Sequence, residues 1–196
     1  MPTNEIAYSE ALDARRREAL CPPRNEAGYN AGVRLLHWAS AAVIIAAWSL
    51  GVGLELFPRG APRAAAMDVH STLGIVVFSL AVLRVLWRSV TTAPPVEGPE
   101  WMAKLAHLGH TMLYGFVLAV PLSGMMARWA YSGVNVFVGG LVVPAPFPLP
   151  LAWLWADAHS ALAYAFSMLV GVHIAAALYH HVILRDSTLR RMLPAR

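Results

Sequence analysis

Eight histidines carry the chemistry this sequence can offer: His37, His70, His107, His110, His159, His173, His180 and His181. All lie in or at the ends of four long apolar stretches, where an ionisable side chain is costly and calls for a functional reason. His159 and His173 are 14 residues apart. At about 100° per residue that is about 1400°, within about 40° of four full helical turns. Both therefore share one helix face, separated by about 21 Å along the axis. A helix that presents two imidazoles in this way can give one axial ligand to each of two stacked b-type haems, and cannot close both on a single metal ion. His180 follows on the same face, at the end of the stretch.

The elements that must position these rings are the apolar stretches themselves, at about 35–56, 69–86, 105–129 and 155–184. Each is long enough to cross a hydrocarbon core of about 30 Å as a helix. The second is the shortest and relies on Arg84 and Arg88 snorkelling at its end. With 58% hydrophobic and 13% charged residues and a mean hydropathy of +0.53, the chain is a membrane protein. The predicted fold is all-α: an integral four-helix bundle over residues 32–196, preceded by a cytoplasmic tail at 1–31. Its net charge of +4 could suggest nucleic acid, but the basic residues flank apolar runs and act as topology signals. Twelve lie on the side of the termini, at Arg15, Arg16, Arg17, Arg24, Arg34, Arg84, Arg88, Lys104, Arg185, Arg190, Arg191 and Arg196. Arg59, Arg63 and Arg128 lie on the other. Both termini are therefore expected in the cytoplasm.

That topology pairs the histidines by depth. His70 opens the second helix and His159 the fourth on the periplasmic side, where they can clamp one haem iron. His37 at the start of the first helix and His173 in the inner half of the fourth can clamp a second. Bis-imidazole ligation closes both axial positions and favours electron transfer over oxygen binding. Small residues at Ala39, Ala42, Gly74, Ala161, Gly171, Ala175 and Ala176 would let porphyrin approach. His107 and His110 are neighbours on one face, read as structural or quinone-related rather than as ligands. Trp38 beside His37 is a residue that can pack on a haem. The lone Cys21 allows no internal disulfide, and no C-x-x-C-H is present for a covalent haem. No apolar signal-peptide core precedes the first span. Residues 135–155, with Pro144, Pro146, Pro148 and Pro150 among apolar residues, cannot be a regular helix and are expected to cap the membrane surface.

The stretches Arg34-Leu-Leu-His37-Trp38, His70-Ser-Thr-Leu-Gly74, His107-Leu-Gly-His110 and Pro121-Leu-Ser-Gly124 resemble the bacterial cytochrome b561 family. So does the run from His173 through His180-His181 to Arg185-Asp186-Ser-Thr-Leu-Arg-Arg-Met192. The resemblance covers residues 32–194 and leaves the N-terminal tail without a counterpart. It implies a bacterial inner-membrane cytochrome with His37, His70, His159 and His173 as ligands of two haem b groups. The family includes a superoxide oxidase, which oxidises superoxide at the periplasmic haem and passes the electrons to ubiquinone. On that reading Arg59, Arg63 and Arg128 steer the anion, and His180, His181 and Arg185 meet the quinone. The competing expectations are an electron-transfer subunit serving a periplasmic redox partner, and a non-redox protein whose histidines bind a metal or relay protons.

Overall fold

The computed structural model describes residues 28–91 and 99–193. The expectations for Arg15 to Arg17, Cys21, Arg24 and Arg196 lie outside these residues.

Four helices are long and apolar enough to cross a membrane: α1 (Ala31–Gly53), α2 (Ala61–Ser89), α3 (Glu100–Ser132) and α4 (Ala152–Tyr179). Asn30 caps α1, its side-chain oxygen accepting from the Gly32 amide at 2.7 Å. The second helix is longer than its apolar run suggests, with 29 residues against 23 for α1. Its added turns begin at Ala61-Pro62, where proline loses nothing because a first-turn amide has no intrahelical partner. Gly60, at φ 97°, makes the preceding turn. Pro121 lies buried inside α3, which ends at Gly133 in the left-handed region.

Packing is most extensive between α3 and α4, then between α1 and α2, then between α2 and α3. The core sits midway along the bundle, where Val77 and Ala81 of α2, Val117 of α3 and Phe166 of α4 are buried together. Phe116 stacks on Phe166, with centroids 6.3 Å apart and planes 15° from parallel. Most large apolar side chains instead point outward, Met168 being 75% exposed, as expected where lipid is the solvent.

The all-α bundle carries one small piece of sheet between its last two helices. Residues 134–144 form a small antiparallel hairpin, β1 (Val134–Val136) with β2 (Val142–Pro144), in the register Asn135 opposite Val143. Three valines flank the Asn135 pairing, and Gly139 and Gly140 take positive φ in the turn. The hairpin is tied to the bundle end. Trp129 Nε1 donates to the Val143 carbonyl, buried Asn135 donates to the Met125 carbonyl, and the Val138 amide donates to Thr72 Oγ1. At the opposite end, five residues after α4, His180–Leu184, form a π turn. The chain then folds back onto α1, where Arg34 and Trp38 donate to the carbonyls of Leu193 and Met192. The bundle thus has a hairpin end and a tail end.

Candidate functional site

Four half-buried histidines meet in two pairs, one towards each end. At the hairpin end, His70 of α2 and His159 of α4 have ring centroids 6.1 Å apart. At the tail end, His37 of α1 and His173 of α4 stand 6.3 Å apart. Neither α1 nor α2 packs its backbone closely on α4, so each ring pair bridges helices held apart at that level. An imidazole nitrogen sits about 2 Å from a bound metal with its ring centre about 1.1 Å behind, so rings on opposite sides of one iron have centroids about 6.2 Å apart. Both pairs fit that spacing. Among the described residues no three His, Cys, Asp or Glu side chains converge as a bare metal ion would require.

The hairpin-end pair is also held in the right chemical form. His70 Nδ1 lies 3.0 Å from the Ala47 carbonyl on α1, and His159 Nδ1 lies 3.0 Å from the Val120 carbonyl on α3. A carbonyl only accepts, so each Nδ1 carries the proton and each Nε2 keeps a free lone pair. Ser123 Oγ adds a contact to His159 Nδ1 at 3.2 Å. Two glycines give the rings room. A Cβ at Gly51 would meet His70 Cε1 at 2.9 Å, and one at Gly124 would meet His159 Cε1 at 2.9 Å. Gly124→Ala is therefore expected to displace the His159 ring and weaken cofactor retention at the hairpin end. Haem content per chain after detergent washing checks this.

The tail-end pair has more company. Trp38 lies edge-on to His37 at 5.3 Å, and its indole is committed to the Met192 carbonyl. Arg84 Nη2 approaches His37 Nδ1 at 3.4 Å while its guanidinium covers the Tyr114 ring at 5.5 Å. His110 of α3 brings a third imidazole, 5.7 Å from the His173 ring, with its own Nδ1 on the Ala106 carbonyl at 2.6 Å. Sequence reasoning set His110 aside, although the depth argument that pairs His37 with His173 applies equally to a residue in the tail-end half of α3. His107 is exposed.

The remaining candidates are placed as follows. Arg63 pairs with Glu55 at 3.2 Å and donates to the Glu55 and Phe57 carbonyls. Arg128 pairs with Asp68 and reaches Ser71 Oγ at 3.4 Å. Arg59 is exposed and unpaired among the described residues. Of the three hairpin-end arginines, two thus have their charge neutralised locally. At the tail end His180 Nδ1 meets the Asp186 carboxylate, while His181 and Arg185 are exposed. Burial works to raise the Asp186 carboxyl, but hydrogen bonds from His180 and Thr188 outweigh it and hold the group below the usual carboxylate value.

Two histidine pairs at separate levels of a four-helix membrane bundle define a class: a membrane-embedded haem protein built for electron transfer. Within it, the chain belongs to the prokaryotic cytochrome b561 family, whose sequence profile matches residues 28–195. It is 34% identical over 166 residues to cytochrome b561 homolog 1 of Escherichia coli (strain K12), covering 82% of this chain and 94% of that protein. It is 29% identical over 163 residues to the probable superoxide oxidase CybB of Yersinia pestis, covering 81% and 92%. Cytochrome b562 of Cereibacter sphaeroides is 29% identical over 176 residues, covering 87% and 98%. The protein is therefore a haem b-binding electron-transfer cytochrome and a multi-pass protein of the bacterial inner membrane.

Proposed function

We propose that the protein is a two-haem superoxide:ubiquinone oxidoreductase, with the hairpin end periplasmic and both termini cytoplasmic. The observation that carries this reading is the two ring pairs, each at the spacing of two imidazoles on one iron and set 14 residues apart along α4. His70 and His159 hold the periplasmic haem and His37 and His173 the cytoplasmic one. Haem b supplies reversible one-electron exchange when bound. The protein orients the four imidazoles that would hold it, and the stacked Phe116 and Phe166 rings lie between the two pairs.

The overall reaction converts two superoxide anions, one ubiquinone and two protons into two oxygen molecules and one ubiquinol. One electron from each anion moves towards the tail end. Arg59, exposed and unpaired among the described residues, is the residue best able to attract the anion. Arg63 and Arg128 act instead through their partners Glu55 and Asp68. His180, His181 and Arg185, at the tail-end boundary, meet the quinone.

The test is purified protein in detergent, supplied with enzymatically generated superoxide and a short-chain ubiquinone. A reduced-minus-oxidised spectrum with two b haems per chain, and quinol formed at the expense of superoxide, is the expected result. Two haems with no superoxide-dependent quinol would establish instead an electron carrier for a periplasmic redox partner. No haem would overturn the reading.

A further inference from the structure

The tail end carries a device the electron path does not use. Where α4 runs out, the chain makes a π turn over His180–Leu184, a form that recurs at functional sites because it re-aims side chains. Arg185 then takes φ 53°, a left-handed conformation uncommon for a residue with a side chain. Together these two departures swing Asp186 back under His180. The Asp186 amide donates to the His180 carbonyl at 3.2 Å, and its carboxylate meets His180 Nδ1. Its other oxygen accepts from the Thr188 amide at 2.9 Å. The two side chains are 22% and 15% exposed, so the pair is largely withdrawn from water. Arg190 donates to the Asp186 carbonyl at 3.4 Å, and Tyr179 lies edge-on to the His180 ring. The segment is strapped to α1, with the Trp38 indole on the Met192 carbonyl one residue from His37.

Two properties follow. The carboxylate fixes Nδ1–H of His180, so Nε2 is the nitrogen left to face a ligand. An imidazole held at one ring nitrogen can take up and release a proton at the other. His180 lies two helical turns beyond His173 on the same face, about 10 Å along the axis. We propose that His180 donates the protons taken up when a quinone is reduced at the tail end, and that Asp186 is the positioning residue that aims it.

This deepens the quinone reading of the proposed function and rests on it. Each quinone carbonyl oxygen that gains an electron takes a proton from His180 Nε2. That nitrogen then regains one from water at the tail-end surface before the second transfer. Two electrons and two protons yield the quinol, and Asp186 stays ionised throughout. A positioned acid of this kind contributes on the order of 100-fold or more to a proton-coupled step.

The experiment is stopped-flow reoxidation of the chemically prereduced holoprotein by two acceptors. Decylubiquinone needs protons; ferricyanide takes an electron and none. Asp186→Asn keeps the side-chain shape and an acceptor for Thr188 but removes the anion. It is expected to slow reoxidation by decylubiquinone at least about 10-fold at saturating quinone, to leave reoxidation by ferricyanide and haem content unchanged, and to be partly rescued by Asp186→Glu. His180→Gln should match it. Wild-type rates with decylubiquinone in Asp186→Asn would overturn the proposal, as would equal slowing with both acceptors, which would make the pair a structural strap. If the unmodified protein is reoxidised by ferricyanide and not by decylubiquinone, the quinone reading itself fails and takes the proposal with it.

Discussion

His159→Ala is expected to halve the haem content and to abolish superoxide-driven quinone reduction while leaving a reducible low-spin haem at the tail end. His159 is one of two imidazoles at the hairpin end, and among the described residues no other histidine lies there to replace it. Its Nδ1 is held by Val120 and its ring lies against Gly124, so the alanine variant loses the ligand and the packing together. The tail-end pair shares α4 but lies about 21 Å away along the axis, beyond the Phe116–Phe166 layer. Haem quantitation and the reduced spectrum read the outcome directly. Retention of both haems would remove His159 from the ligand set. Loss of both would mean that the hairpin-end site is needed for the bundle to assemble.

The second large effect concerns stability. Asp68 of α2 and Arg128 of α3 form an ion pair inside the spans, with side chains 27% and 17% exposed. Removing one partner strands the other charge in an apolar setting, which costs about 3 kcal/mol, the low end of the range for buried pairs because some exposure remains. Asp68→Ala is therefore expected to lower the thermal midpoint of the detergent-solubilised protein by several degrees. Asp68→Ala combined with Arg128→Leu should recover most of the loss, since replacing both charges removes the penalty. The same variants separate two roles for Arg128. If its charge steers superoxide, Asp68→Ala frees that charge and should raise the rate at low salt, even as stability falls. An unchanged rate would assign Arg128 to holding α2 against α3.

Much of this architecture is legible in one dimension. Four apolar runs define four spans, because the membrane permits few other solutions. The spacing of His159 and His173 follows from helix geometry alone. Sequence reading fell short where tertiary structure decides. The start of α2 lay hidden in Ala61 to Ala66, since alanine signals helix without signalling membrane. The hairpin at 134–144 was read only as an irregular cap, because its prolines obscured two short valine-rich strands. Gly51 carries no signal in the sequence, since its meaning comes from the His70 ring across the helix pair. His107 and His110 look alike in sequence, three residues apart on one helix face, whereas the fold turns His110 against His173 and leaves His107 exposed. The Glu55–Arg63 and Asp68–Arg128 pairs could not be seen from counting charges by side, which treats every arginine as free.

If a haem sits at each histidine pair, the 14-residue interval along α4 makes electron exchange between them sensitive to voltage. On the two-haem reading an electron travels about 21 Å along the membrane normal, roughly two-thirds of a 30 Å apolar layer. A full crossing against 100 mV is worth about 2.3 kcal/mol per charge, so this partial crossing is worth about 1.6 kcal/mol. Inward electron flow runs against a membrane potential that is negative inside. An energised cell therefore opposes the step, and a depolarised one releases it.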